Sequence, residues 1–289
     1  MSSYKIKDVE TLTGVKSHTL RIWEKRYGLP KPSRSNTKIR NYSEEDLLLL
    51  LNVAILNQGG LKISKIAGLS EEEIYVKVLE QSESSVNENT TVGLLINAMI
   101  NFDEIVFKNV IQKHIEKEGL KQTYFNYILP FLERIGVMWM VGSILPSQEH
   151  LVSNIIRELI IRQTKNIVEK RNDSKTYALF CREGDWHELS LLMYNYLLRE
   201  QGNQTFYLGQ NLPIKTLLNG TMIKKCDGVV LSLVSAIDKK SEQKIINTLN
   251  TIVADQIPVY LGGGQCLCIM EKLKNPLILD ARDLFGKIG

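Results

Sequence analysis

Three regimes of apolar spacing follow one another along the chain. Over residues 4–27, Ile6, Val9 and Leu12 form one helical stripe, Thr13-Gly14-Val15 interrupts it, and Val15, Leu20, Ile22 and Trp23 resume it. That spacing predicts two short helices joined by a tight turn, with Ser17 as N-cap of the second. A turn punctuated by Gly28, Pro30 and Pro32 then leads through a basic segment to Tyr42, which predicts a short β-ribbon, or wing. Ser43-Glu44-Glu45-Asp46 is an acidic helix-start signature ahead of the apolar 47–51 run.

The second regime begins after residues 81–91, a Ser-, Glu- and Asn-rich stretch that reads as a linker. Beyond it Leu94, Leu95, Ala98; Ile105, Val106, Val110, Ile111; Leu129, Leu132, Ile135; and Leu151, Ile155, Ile156, Leu159 recur at helical spacing. Four such stretches with short breaks predict a four-helix bundle. In the third regime, short apolar runs at 176–181, 204–208, 228–233, 258–261 and 277–279 alternate with amphipathic ones at 189–201, 213–219, 239–251 and 266–273. Alternation of this kind predicts a parallel sheet with helices on both faces, in flavodoxin-like order. The expected chain is therefore multidomain: an all-α winged helix-turn-helix head (1–78), a linker (79–91), a four-helix bundle (92–172) and an α/β flavodoxin-like parallel-sheet domain (173–289).

Charge sharpens this division. The chain of 289 residues carries a net charge of +4, yet residues 1–42 alone hold ten Lys/Arg against three acids, a net of +7. The rest of the chain is thus at −3, and a basic head on a slightly acidic body predicts a polyanion partner for the head. The second helix would turn Lys16, His18, Thr19, Arg21 and Lys25 outward, side chains suited to phosphates and base edges in the major groove of double-stranded DNA. Arg34, Lys38, Arg40 and Tyr42 in the wing would contact backbone phosphates. Cys181, Cys226, Cys266 and Cys268 stand in apolar or Gly-rich sequence at spacings unlike a zinc site, so free thiols in a reducing cytoplasm are expected. No apolar run approaches bilayer-spanning length, and no membrane partner is expected.

The residues with chemistry to offer converge on one edge of the expected sheet. In flavodoxin-like order, His187 follows the first strand and Ser232 ends the third, so the two flank the switch point. Gly262-Gly263 follows the fourth strand on the same edge, where glycines would let a bulky ligand reach the backbone. Asp185, two residues before His187, is placed to orient its ring and raise its basicity. In the bundle, Trp139 and, nine residues on, the Glu149-His150 step stand out, because a Glu-His pair needs partners wherever it is desolvated.

Two resemblances join these features. Leu20-Arg21-x-Trp23-Glu24-x-Arg26-Tyr27-Gly28-Leu29-Pro30, followed by Arg40-x-Tyr42-Ser43-x-x-Asp46-Leu47, resembles the MerR-type winged-helix family, in the form carried by its cobalamin-domain branch. Asn36-Thr37-Lys38-Ile39 departs from it where the wing often has glycines and a histidine. Asp185-x-His187-x-x-Ser190, Ser232-x-Val234 and Gly262-Gly263 are similar to the cobalamin-binding pattern of corrinoid proteins. That resemblance implies that the ligand's benzimidazole leaves cobalt to be buried as a tail, and that His187 becomes the lower axial ligand. Ser190 stands where the family has glycine and Val234 where leucine is common; the added Cβ and hydroxyl of Ser190 are expected to weaken binding or abolish it.

Trp139 with Glu149-His150 matches the pattern of cobalamin-dependent light-sensing repressors of the CarH/LitR type. There the Trp covers the upper cobalt face, and the His can take the cobalt after photolysis, as His150 would here. Taken together, the resemblances imply a transcriptional repressor that binds adenosylcobalamin, or methylcobalamin, and acts as a homo-oligomer, dimer or tetramer, on a DNA operator. The alternative is a regulator of the same build that works without cobalamin, as an oligomerisation or interaction domain. An enzyme is disfavoured, since no part of the chain reads as a catalytic domain for a substrate.

Overall fold

The computed structural model describes residues 4–30, 32–34, 39–84, 88–140, 144–167, 174–213, 223–235 and 237–285. They form two compact units, Met1–Ile155 and Ile156–Gly289.

In the first unit, α1 (Ile6–Thr13) and α2 (Ser17–Tyr27) are joined through Gly14, whose φ of 72° is the left-handed conformation glycine adopts without steric cost. Val9, Leu12, Leu20 and Trp23 are buried as expected, but Ile22 is 47% exposed. Ser17 is not the cap. Helix α2 starts at Ser17 after Lys16, and the Ser17 amide and hydroxyl are both taken by the Glu10 carboxylate of α1. The wing is present as a two-residue antiparallel ribbon, β1 (Ser33–Arg34) with β2 (Arg40–Asn41). Ser43 and Asp46 form the reciprocal capping box at the start of α3 (Glu44–Gln58). Helix α3 is buried nearly all round, through Leu47, Leu50, Leu51, Val53, Ala54, Ile55 and Leu56. At about 2 kcal/mol for each large side chain fully removed from water, it is the first unit's central strut.

Two further helices, α4 (Ile63–Ile66) and α5 (Glu71–Ser84), precede the bundle. The bundle comprises α6 (Glu88–Ile100), α7 (Glu104–Thr123), α8 (Leu129–Met140) and α9 (Pro146–Lys165). Residues 79–84 and 88–91, read as linker, are helical and belong to α5 and α6. Gly119, at φ 81° and ψ 165°, breaks α7, and a π-turn at Tyr124–Ile128 leads into α8. Leu94, Leu95, Ala98, Val110, Ile111, Ile135, Ile155, Ile156 and Leu159 are buried, whereas Ile105 is 72% exposed. It lies in the first turn of α7, capped by Asp103 Oδ1 at 3.0 Å from the Val106 amide, on the side opposite Phe107 and Ile111.

The second unit holds a five-stranded, all-parallel sheet in the order β4-β3-β5-β6-β7. The strands are β3 (Thr176–Arg182), β4 (Gln204–Leu212), β5 (Gly228–Ser232), β6 (Val259–Gly262) and β7 (Ile278–Asp280). Helices α10 (Leu189–Glu200), α11 (Lys239–Ala254) and α12 (Cys266–Leu273) connect them. The helix expected over 213–219 lies outside the described residues, apart from Pro213. This is flavodoxin-like order, and it puts the switch point between β3 and β5, which pair in register with Cys181 opposite Ser232. Beneath it Ala178, Phe180, Val229, Leu231, Val259 and Leu261 form a dry core with Ile245, Leu249 and Ile252 of α11.

Candidate functional site

The switch-point site is built on a buried carboxylate. Strand β3 ends at Arg182, a turn through Gly184 redirects the chain, and Asp185 drops into the sheet edge with no exposed surface. Asp185 Oδ1 accepts from the His187 amide at 3.1 Å, from His187 Nδ1 at 3.1 Å and from the Ser235 hydroxyl at 2.8 Å. Its Oδ2 accepts from the amides of Val234 at 2.9 Å and Ser235 at 3.1 Å. One carboxylate therefore ties the loop after β3 to the loop after β5. Burial alone would raise its pKa, but the donors from His187, Val234 and Ser235 outweigh burial and hold it well below the usual carboxylate range.

That anion fixes the histidine. With Asp185 ionised, His187 Nδ1 must carry the proton, which it shares with Ser235 Oγ at 3.0 Å. The side chain is 61% exposed, so a ring tethered at Nδ1 is held at the surface of the crevice. The neighbouring residue is anchored too. Glu188 forms an ion pair with Arg157 Nε of α9 at 3.0 Å and accepts from the Tyr207 hydroxyl of β4 at 2.8 Å. Cys181 lies behind the loop, its thiol 3.8 Å from the His187 carbonyl; burial, with Asp185 and Glu188 adding to it, pushes that thiol up to about 12. It stays protonated at neutral pH.

The other half of the crevice differs from expectation. Ser190 Oγ lies 2.9 Å from Ser232 Oγ, and Ser232 is fully buried, so its hydroxyl is paired within the chain. Val234 contributes its backbone amide, to Asp185. The two glycines after β6 serve the chain itself. A Cβ on Gly262 would lie 2.5 Å from the Tyr194 ring and hydroxyl, and one on Gly263, at φ 89°, would lie 2.4 Å from the Leu233 carbonyl oxygen. Ser235 and Tyr194 were not singled out in the sequence. Ser235 directly follows Val234, and Tyr194 stands one helical turn beyond Ser190, but their roles arise from contacts across the sheet that no local spacing marks.

The bundle residues lie in the first unit. Trp139, on α8, is 51% exposed. The Glu149-His150 step is not desolvated: the His150 side chain is 73% exposed, with Nε2 3.5 Å from Glu149 Oε2. Glu149 is steadied by the Ser153 hydroxyl at 2.8 Å.

In the head, Lys16, His18, Arg21 and Lys25 are exposed and Thr19 is half-buried along α2. Lys16 Nζ lies 3.3 Å from Glu10, and His18 Nε2 lies 3.3 Å from the Thr19 hydroxyl. Two wing residues differ from expectation. Tyr42 is 1% exposed and pairs its backbone with Tyr4, so its ring is core rather than a phosphate contact. Arg40 Nε donates to Glu24 at 2.5 Å, which commits that edge of the guanidinium to α2. Lys38 and the Arg34 side chain lie outside the described residues.

Comparison with known proteins agrees with this layout. Residues 4–73 match the family model for the MerR HTH family regulatory protein, and residues 94–162 match that for a B12 binding domain. The HTH-type transcriptional repressor CarH of Myxococcus xanthus is 25% identical over 269 residues, covering 91% of this chain and 89% of that protein. CarA, an HTH-type transcriptional repressor of the same organism, is 28% identical over 280 residues, covering 96% and 91%. A monomethylamine corrinoid protein of Methanosarcina barkeri aligns with a TM-score of 0.51 at 15% identity, over 65% of this chain and 92% of that one, a likeness of fold. No described helix is long and apolar enough to cross a membrane. The chain thus carries, in sequence order, a segment similar to MerR HTH regulatory proteins, a helical segment similar to a B12 binding domain, and a parallel-sheet domain with the fold of a corrinoid protein.

Proposed function

We propose that the protein is a DNA-binding transcriptional repressor whose hold on its operator is set by an adenosyl-corrinoid. The observation that carries the reading is the Asp185-anchored imidazole of His187, exposed at the switch point of a sheet that follows a MerR-type head. A single neutral imidazole suits a metal that arrives with its equatorial ligands already in place. When bound, such a cofactor supplies a cobalt–carbon bond that light breaks. In this reading His187 would hold the cofactor's metal, and by the family resemblance Trp139 would shield the light-labile ligand and His150 would offer a second imidazole. Lys16, His18, Arg21 and Lys25 read or grip the major groove, and Arg34 and Lys38 extend that grip along the phosphates. Ligand-dependent assembly into a dimer or tetramer would present several heads to one operator and multiply their affinity through effective concentration.

The test is fluorescence anisotropy with DNA from the protein's own promoter, in the dark and after green light, with and without the adenosyl-corrinoid. Corrinoid retained after desalting, with DNA affinity that changes on illumination, is the expected result. Affinity indifferent to corrinoid and light overturns the reading. It would favour a second reading, a regulator that works without cobalamin, to which the Ser190–Ser232 bond gives specific support.

A further inference from the structure

Helix α10 presents Ser190 and Tyr194 on one face, one turn apart. Opposite them Ser232 and Gly262 are register partners at the ends of β5 and β6. The two pairs match: Ser190 Oγ meets Ser232 Oγ at 2.9 Å, and the Tyr194 ring lies where a Cβ of Gly262 would be, 2.5 Å from that point. The Tyr194 ring stacks on buried Phe285 of the C-terminal turn, with centroids 5.8 Å apart and planes 7° from parallel. The crevice is therefore divided. Over β3 it carries the exposed His187 ring, and over β5 and β6 it is filled by the chain's own side chains.

A cobalamin brings a nucleotide tail whose benzimidazole occupies the cobalt's lower face. His187 can take that face only if the tail leaves it and is received elsewhere. Here the strand-end space beside His187 is taken, and opening it breaks the serine pair and the Phe285 stack together. A corrinoid without the tail meets none of this.

We propose that the α/β domain selects for corrinoids lacking the nucleotide tail, the cobinamide class, with Ser190 and Tyr194 as the specificity-determining residues. This deepens the corrinoid reading of the site and rests on it. The test is equilibrium dialysis of the full-length wild-type protein in the dark against adenosylcobinamide and adenosylcobalamin, read by corrin absorbance. The wild type should bind adenosylcobinamide at least tenfold more tightly. Ser190→Gly and Tyr194→Ala, each checked for folding by circular dichroism, should narrow that ratio by tightening adenosylcobalamin. Equal affinities, or tighter binding of adenosylcobalamin, would overturn the selectivity and leave corrinoid control intact. A preference that neither variant moves overturns the residue assignment. Failure of the wild type to bind either compound overturns the corrinoid reading itself.

Discussion

The two halves of the crevice solve opposite problems with opposite materials. At the β3–β5 corner, five hydrogen bonds converge on one buried carboxylate and hold an imidazole out into solvent. At the β6 corner, an aromatic ring lies against a bare backbone and closes the space. A polar anchor makes sense where a group must be aimed yet left exposed, because hydrogen bonds specify direction while packing needs surface on every side. The contrast teaches that the sheet edge is not one open groove with a histidine beside it. It is a presented ligand next to a filled slot.

The contrast breaks most severely at its polar end. Asp185→Ala strands the part-buried amides of Val234 and Ser235 together, at about 3 kcal/mol of unfolding free energy, measured by urea denaturation. The wild-type pH profile carries the same signature. A carboxyl depressed in the folded state stabilises it at pH above the ordinary unfolded value, and that contribution is lost as pH falls toward the depressed one. Wild-type stability should therefore decline on acidification from about pH 5 downward, and the Asp185→Ala profile should be flatter there. Equal slopes would show that the carboxylate is not ionised in its buried setting.

The two glycines separate backbone from side-chain closure. Gly263→Ala pushes a Cβ into the Leu233 carbonyl at a φ that disfavours any side chain, and should cost about 2–3 kcal/mol. At Gly262 the obstacle is Tyr194, which can turn away, so Gly262→Ala should cost less, about 1–2 kcal/mol, and expose the tyrosine. Denaturation midpoints and tyrosine fluorescence read both. A costlier Gly262→Ala would mean that Tyr194 is locked rather than seated.

Much of this was legible in the sequence, for reasons that also mark where legibility ended. The strands and their flavodoxin-like order followed from the alternation of short apolar runs with amphipathic ones, and the observed helix Cys266–Leu273 matches its predicted bounds. Asp185 and His187 were legible because two residues is the span over which a carboxylate folds back onto a neighbouring amide and ring. Ser235 was not, since its role comes from β5 lying beside β3, a contact across 50 residues. Tyr194 read as one more apolar position on an amphipathic helix; only Gly262 on the adjoining strand end gives it a slot to fill. Tyr42 and Ile105 were misplaced for one reason. Residue type and periodicity near a helix start do not say which side of the chain the core occupies.

The smallest effects sit at the serine pair and the histidine, and they decide whether the corner is for folding or for binding. Ser190→Ala removes one neutral hydrogen bond and leaves Ser232 buried without that partner, a loss of about 1 kcal/mol. His187→Ala should cost less still, within about 0.5 kcal/mol, because the ring is mostly in water and Asp185 keeps its other donors. Yet the same substitution should weaken adenosyl-corrinoid binding at least tenfold in the dark, read by dialysis alongside the urea curves. A ring that contributes little to the fold but is held by a buried carboxylate is there for something outside the fold. If His187→Ala instead destabilises the protein as much as Asp185→Ala and leaves corrinoid affinity untouched, the anchor runs the other way. The imidazole would then be one more donor holding the carboxylate in place, and the polar corner would be as closed in purpose as the aromatic one.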